Sequence, residues 1–344
     1  MSQNKSLKFG ILGAGSIGCY IGANLQNGGH DVVFAGRDKL RMEIKEYGFT
    51  ITDLETKNFR LPPETIRYSA TPEILNHCDV ILVTVKSQGT KEAITTIKNI
   101  IRPDAVLVSF QNGVSNAGSI REILPDRTVL AGMVPYNVVQ IGNGKFHSGT
   151  SGDLVIEKRL GVSENIVQAL IDSGLAAKEH PDLPGILWGK LILNLNNAIN
   201  ALAGVPLKEE LSNVAYRKIL AETQREALRL LKRAGIKPRR SGKMIPQIAP
   251  FVLGLSDFLF FRIASTMIQI DPLARSSMWE DLNKGRETEI DYINGEIISL
   301  AKSLNAQAPI NSKIVELIKV VEKSRSGSPG LSAARLASSL EIDI

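Results

Sequence analysis

Cysteine is nearly absent from this chain: among 344 residues only Cys19 and Cys78 carry a thiol. Two thiols make no disulfide framework, and these two have no metal-ligand spacing. They read as small buried residues of a reducing compartment. Aromatic residues are also scarce, at 5%. No dense Lys/Arg block with interleaved aromatics occurs, which argues against a nucleic-acid partner. Lys237, Arg239, Arg240 and Lys243 are the tightest basic group, and a solvated loop accounts for them. Long apolar runs are missing as well. The greasiest stretch, Met244 to Ser256, is broken by Pro246 and Pro250 and stops at Asp257, too short for a membrane span. Residues 1–8 lack the apolar centre of a secretory signal. The expectation is a cytoplasmic protein with no membrane and no nucleic-acid partner.

What is present is ordinary globular material, 43% hydrophobic and 22% charged, and long enough for two domains with substantial cores. The net charge of +6 suits an anionic ligand. The organising stretch is Phe9 to Gly22. Phe9, Ile11 and Leu12 read as a short buried strand, and Gly13, Gly15 and Gly18 follow in the order G-x-G-x-x-G at the start of a helix. In a dinucleotide-binding turn the first glycine permits the tight turn. The second admits a pyrophosphate to the backbone, and the third lets helix pack on strand. The open helix start offers N–H groups to phosphate. A second strand, Asp31 to Ala35, closes the βαβ unit. An NAD-selective site usually carries an acid at the end of that strand. Here stand Ala35 and Gly36, then Arg37, whose guanidinium suits a 2′-phosphate. This favours NADP.

Further along, Phe49–Asp53 and Phe59–Leu61 read as a small inserted hairpin. Asp79–Val85 and Ala105–Phe110 are continuous apolar runs, as in strands covered on both faces. They end in Lys86-Ser87-Gln88 and Gln111-Asn112-Gly113. Topology alone puts Lys86, Gln88, Gln111 and Asn112 near a cofactor crevice, because ligands bind at the carboxyl ends of such strands. Asn112 is equally well explained as half of an Asn-Gly turn. Strands are expected at 128–134, 137–140, 145–147, 153–156 and 176–179, with a helix at 166–170. His147 reads as a structural or exposed histidine.

Composition changes at His180-Pro-Asp-Leu-Pro184, and helical periodicity dominates beyond it. Domains are therefore expected at 1–182 and 183–344. Trp188–Leu202 reads as one apolar helix. Lys190, Asn194, Asn197 and Ala201 share one of its faces. That polar stripe fits either a helix–helix hydrogen-bond network or the wall of a ligand cleft. Leu211–Ala234 reads as a long helix ended by Gly235, followed by a proline-broken helical region to about Ile270. Arg275 to Gly295 is polar until Ile290, where a helix is expected. Thr288 would cap it, with Asp291 in the capping-box position. Capping leaves Ser276, Ser277 and Glu289 unexplained.

Those last residues carry a resemblance. Gly13-Ala-Gly-Ser-Ile-Gly18, Val85-Lys86, Gln111-Asn112-Gly113, Trp188-Gly-Lys190-Leu with Asn194, and Arg275-Ser-Ser-Met278 through Gly285-Arg-Glu-Thr-Glu-Ile-Asp-Tyr-Ile-Asn-Gly295 resemble the ketopantoate reductase (2-dehydropantoate 2-reductase) family over nearly the whole chain. The resemblance implies an α/β fold, an N-terminal Rossmann-type dinucleotide-binding domain followed by an all-helical C-terminal substrate domain. It implies cofactor contacts from Gly13, Ala14, Gly15, Ser16, Ile17, Gly18, Arg37, Lys86, Gln88, Asn112 and Glu289. Lys190 would polarise and protonate the substrate's 2-keto oxygen, with Glu289 as its catalytic partner. Asn112, Asn194, Asn197 and Ser277 would hold substrate. Many members carry a further substrate-holding Asn eight residues past the catalytic lysine, where this chain has Ala198. Asn197 is one residue away, a turn of about 100° on a helix.

The implied activity is NADPH-dependent reduction of 2-dehydropantoate to pantoate, in pantothenate biosynthesis. The altered Asn pattern keeps a second reading, a reductase of another 2-oxo acid. A third is a non-catalytic NADP(H) sensor, against which the intact Lys190 and Glu289 argue. The small-molecule substrate is a 2-oxo acid, no metal is required, and a homodimer stays open.

Overall fold

The computed structural model describes residues 7–240, 244–264 and 274–343. Lys243 and residues 265–270 of the expected helical region lie outside them. The chain divides into two compact units, Met1–Leu183 and Pro184–Ile344.

The first unit is α/β. Its strands are β1 (Lys8–Leu12), β2 (Asp31–Ala35), β3 (Phe49–Asp53), β4 (Asn58–Leu61), β5 (Arg67–Ser69), β6 (Val80–Val83), β7 (Val106–Ser109), β8 (Thr128–Met133), β9 (Val138–Gly142), β10 (Lys145–Ser148), β11 (Leu154–Glu157) and β12 (Ala177–His180). Its helices are α1 (Ser16–Asn27), α2 (Asp38–Tyr47), α3 (Thr90–Ile97), α4 (Asn116–Ile123) and α5 (Ser163–Asp172). Eight strands form one sheet in the order β12-β11-β8-β7-β6-β1-β2-β5. Every neighbouring pair in it is parallel except β8 with β11. The apolar runs explain this: β6 is buried along its whole length and β1 from its second residue, as central parallel strands are. Chain order runs one way from β1 through β2 and the other way from β6 through β8. The reversal lies between β1 and β6, so the carboxyl ends of those strands are the ligand-binding switch point.

The pair β3–β4 is an antiparallel hairpin, but not an isolated insertion. β3 also pairs in parallel with β10, which pairs with β9, giving a second sheet of four strands. A two-stranded hairpin alone is marginal in water. Here Phe49, Ile51 and Phe146 are fully buried, and the Phe49 ring packs against Phe34 and Phe146 at 5.0 and 5.8 Å. His147 is structural: its Nδ1 bonds Thr52 Oγ1 at 2.8 Å across the strands. Cys19 and Cys78 are free and buried.

The second unit is helical: α6 (Leu183–Asn194, beginning at the boundary), α7 (Asn196–Ala203), α8 (Leu207–Ser212), α9 (Val214–Arg233), α10 (Ala249–Leu253), α11 (Asp257–Ala264), α12 (Ser277–Asn283), α13 (Asn294–Ser303), α14 (Pro309–Ser324) and α15 (Ala333–Ser339). Four expectations need correction. The helix expected at 188–202 is two helices meeting at Leu195. Asn194, Asn196 and Asn197 crowd that junction, and asparagine is a poor interior helix residue. The helix expected from Leu211 starts at Val214, because Asn213 is extended and its side chain accepts from Ala215 N at 2.9 Å. The block 275–289 contains a helix, α12, whose Met278 and Leu282 are buried four residues apart. At Ile290–Tyr292 there is only a 3₁₀ turn. Thr288 Oγ1 accepts from Ile290 N at 3.2 Å, while Asp291 pairs with Lys319 instead of closing a capping box. No described helix is long and apolar enough to cross a membrane.

Candidate active site

In the first unit the β1–α1 turn is built by its glycines. Gly13 has φ +93°, and a Cβ there would fall 2.5 Å from Val85 N. The amides of Gly13 and Ala14 donate to Ala35 O at 3.0 and 2.9 Å, tying the turn to the end of β2. A Cβ on Gly18 would lie 2.5 Å from Thr84 Oγ1 and 2.7 Å from Ile11 Cγ2, so the glycine is what lets α1 sit on the sheet. Gly15 differs: the nearest atom to its Cβ would be 3.9 Å away. The space left open there faces a helix start that no side chain caps, with Ser16 and Ile17 in the first turn and partly exposed. A pyrophosphate suits this cradle.

Beyond β2, a Cβ on Gly36 would come within 2.2 Å of Tyr68 Oη. An acidic side chain cannot occupy that position while Tyr68 stays in place. Arg37 follows, exposed at the start of α2.

The loops after β6 and β7 are joined by a buried polar network. Gln111 Nε2 donates to Val85 O at 3.0 Å and Thr90 Oγ1 at 2.6 Å, and Ser109 Oγ donates to Gln111 Oε1 at 2.8 Å. Asn116 Nδ2 reaches Ser87 Oγ at 3.1 Å and Asn112 O at 2.5 Å, and Ser87 Oγ donates to Asn112 O at 3.0 Å. Gln111 is thus consumed inside the fold. Lys86 and Gln88 stay exposed and Asn112 partly so. Reading the sequence missed Ser87, Thr90 and Asn116, whose only signal was their closeness to the two loops.

In the second unit Lys190 and Asn194 lie one turn apart on α6 and Asn197 on α7, each partly exposed, while Ala201 of α7 is buried. Burial lowers the Lys190 ammonium to about 8, and the negative charge of Glu289 opposes that fall. Lysine and glutamate are therefore brought together from positions 99 residues apart in the chain (289 − 190). Ala198 is fully buried. Asn200 is fully buried too. Its Nδ2 donates to Val205 O at 3.0 Å and Glu210 Oε2 at 2.6 Å, and its Oδ1 accepts from Ser276 N at 2.8 Å.

Ser276 has a structural task. Its Oγ accepts from Trp279 N at 3.1 Å, capping α12, and donates to Asn197 O at 2.9 Å. Ser277, next in the chain, is exposed in the first turn of α12. Arg275 stacks on Trp279, guanidinium carbon to ring centroid 4.5 Å. Arg239 belongs to the basic group. Its backbone is docked on α6, with its N donating to Gly185 O at 2.7 Å, while the Arg239 and Arg240 side chains stay exposed.

The model of "Ketopantoate reductase PanE/ApbA" matches residues 9–161, and that of its C-terminal domain matches residues 182–322. The chain belongs to the ketopantoate reductase family. It is an oxidoreductase of that family's α/β-plus-helical fold. A 2-dehydropantoate 2-reductase from Pyrococcus horikoshii is 28% identical over 94% of this chain and 100% of its own. The crystal structure of a ketopantoate reductase of the family from Ralstonia eutropha superposes with TM-score 0.80 at 26% identity, covering 93% of this chain and 99% of that one. A D-mandelate dehydrogenase solved with NADH and anilino(oxo)acetate shares the fold, with TM-score 0.75 at 21% identity over 93% of this chain and 99% of that one.

Proposed function

We propose that this protein reduces 2-dehydropantoate to pantoate at the expense of NADPH. The observation that carries the reading is Lys190: a lysine on a mostly apolar helix, its ammonium lowered by burial to about 8 and faced by Glu289. A bound reduced nicotinamide supplies the hydride. As the ketone is reduced, negative charge builds on its oxygen. An ammonium aimed at that oxygen stabilises the charge, and at this acidity it can also release its proton near neutral pH. Glu289 keeps the lysine from losing its proton too early. Asn194, Asn197 and Ser277 are the substrate contacts of the second unit in this reading, and Asn112 is that of the first.

The cofactor choice rests on Ala35, Gly36 and Arg37. No acid stands at the end of β2, Tyr68 bars one from position 36, and Arg37 is exposed where a 2′-phosphate would lie. Gly13, Ala14, Gly15, Ser16, Ile17 and Gly18 form the pyrophosphate turn, and Gln88 and Glu289 complete the set of cofactor contacts. The first unit is thereby the cofactor domain and the second the substrate domain.

A second reading, reduction of a different 2-oxo acid, is favoured by one feature. Ala198 is fully buried and Asn200 is committed to Glu210 and Ser276, so neither replaces the family's second asparagine. NADPH oxidation measured against a panel of 2-oxo acids tests both. Highest kcat/KM with 2-dehydropantoate is the expected result. A better substrate elsewhere in the panel would establish the second reading, and turnover of none would remove both.

A further inference from the structure

We propose that Glu210 is a positioning residue for the substrate-holding face of the second unit, acting through Asn200 on Ser276 and Ser277. The inference rests on the reading that Asn197 and Ser277 hold the substrate.

Glu210 lies on α8 and is 1% exposed. An acid there is costly unless it has a task, since one of its oxygens, Oε1, is buried with no hydrogen-bond partner among the described residues. Its other oxygen accepts from Asn200 Nδ2 at 2.6 Å. The second amide hydrogen of Asn200 goes to Val205 O at 3.0 Å, which leaves Oδ1 turned toward Ser276 N at 2.8 Å. With both hydrogens of Nδ2 directed at oxygens, the amide has one orientation. Ser276 then caps α12 and donates to Asn197 O. Glu210, Asn200 and Ser276 therefore form one chain of contacts, ending on the backbone of Asn197 and on the residue before Ser277.

Without the carboxyl group, one amide hydrogen of Asn200 loses its acceptor in a dry site. The amide can then rotate and release the Ser276 amide. The consequence falls on the separation of Ser277 from Asn197, which grips the substrate and leaves the chemistry at Lys190 intact. The carboxyl of Glu210 is pushed up to about 8 by burial, so at neutral pH it holds a proton for most of the time. Glutamine, with the same acceptor carbonyl, is then a close mimic. No other member of the chain of contacts ionises. Tyr216 is the titratable group that feels the charge of Glu210, and Glu209 acts on that same tyrosine.

The test compares steady-state kinetics with 2-dehydropantoate for the parent, Glu210→Ala, Glu210→Gln and Ser277→Ala, each with its NADPH dissociation constant and melting curve. Glu210→Ala should raise KM for the oxo acid about tenfold, with kcat and NADPH affinity within about twofold of the parent. That is the effect of about 1.4 kcal/mol in binding. Glu210→Gln should return KM to within about twofold. A parent-like KM in Glu210→Ala beside a raised KM in Ser277→Ala would overturn the positioning role and leave the substrate face standing. Parent-like KM in both would overturn the two together. If Glu210→Ala does not fold, the glutamine variant decides by comparison with Glu210→Asp, whose shorter side chain cannot keep the 2.6 Å contact. KM raised by aspartate and not by glutamine supports the proposal, and equal KM values overturn it.

Discussion

The two units assemble their polar groups by opposite means. In the first, the proposed cofactor turn is backbone: Gly13, Gly15 and Gly18 matter for the side chains they lack, and the surrounding amides do the binding. In the second, the proposed substrate groups are side chains on a helical face, and their placement depends on partners far away in sequence. Asn197 is held through Ser276, 79 residues on, and Lys190 is tuned by Glu289. A site made of backbone is specified locally, by a motif of six residues. A site made of side chains is specified only by the whole packing of its unit.

Breaking each unit should therefore look different, and the largest effect belongs to the second. Lys190→Ala should fold and bind NADPH normally, yet lose at least about 10²-fold in kcat, the lower end for removing a general acid. The loss should appear in kcat as well as kcat/KM, because the charge that the ammonium meets grows only on the way to the transition state. A folded variant with near-parent kcat would take Lys190 out of the mechanism.

Next in size is Arg37→Ala in the first unit. NADPH affinity should fall by about 1.5–3 kcal/mol, the range for a hydrogen bond to a charged group. NADH affinity should stay nearly unchanged, since it carries no 2′-phosphate. Titration with both cofactors checks this, and equal losses would contradict the assignment.

The smallest effects sharpen the comparison within the turn itself. Gly18→Ala places a methyl group 2.5 Å from Thr84 Oγ1, and overpacking of this kind costs about 1–3 kcal/mol of stability. Gly15→Ala meets nothing closer than 3.9 Å. Its melting temperature should match the parent's while NADPH binding weakens, because the methyl fills the space left for pyrophosphate. Thermal melts paired with NADPH titrations would separate a glycine needed by the fold from one needed by the ligand. Equal melting losses in both variants would erase that distinction.

Much of the first unit was legible because its signals are local. The continuous apolar runs at 79–85 and 105–110 marked central strands, and the spacing of three glycines marked the turn. What stayed hidden was pairing at a distance: no local pattern joins β3 to β10, residues almost a hundred positions apart. In the second unit, intervals of four and three put Lys190, Asn194 and Asn197 on one face of a single expected helix, and the break at Leu195 had no signal strong enough to show it. The helix α12 was overlooked although Ser276, Met278 and Leu282 form a cap and a buried i, i+4 pair. Its polar residues outnumber its apolar ones, and only packing selects the two that matter. Glu210 had no signal at all. A glutamate on a short helix is ordinarily solvated, and its burial is a property of the folded unit.

The claim that burial makes Lys190 a usable acid is tested most directly by the pH dependence of kcat/KM for reduction of the oxo acid. The lysine's ordinary value of 10.5 is lowered to about 8, so the protonated, active form is lost as pH rises through that value. Below it the profile should be level as far as this group is concerned, and above it kcat/KM should fall tenfold per pH unit. Glu210 also ionises near pH 8, so the profile should be recorded in Glu210→Gln as well, where only Lys190 remains to produce the fall. A decline centred near pH 8 in both proteins is the predicted result. A profile that stays level to pH 9.5 in both would contradict the account.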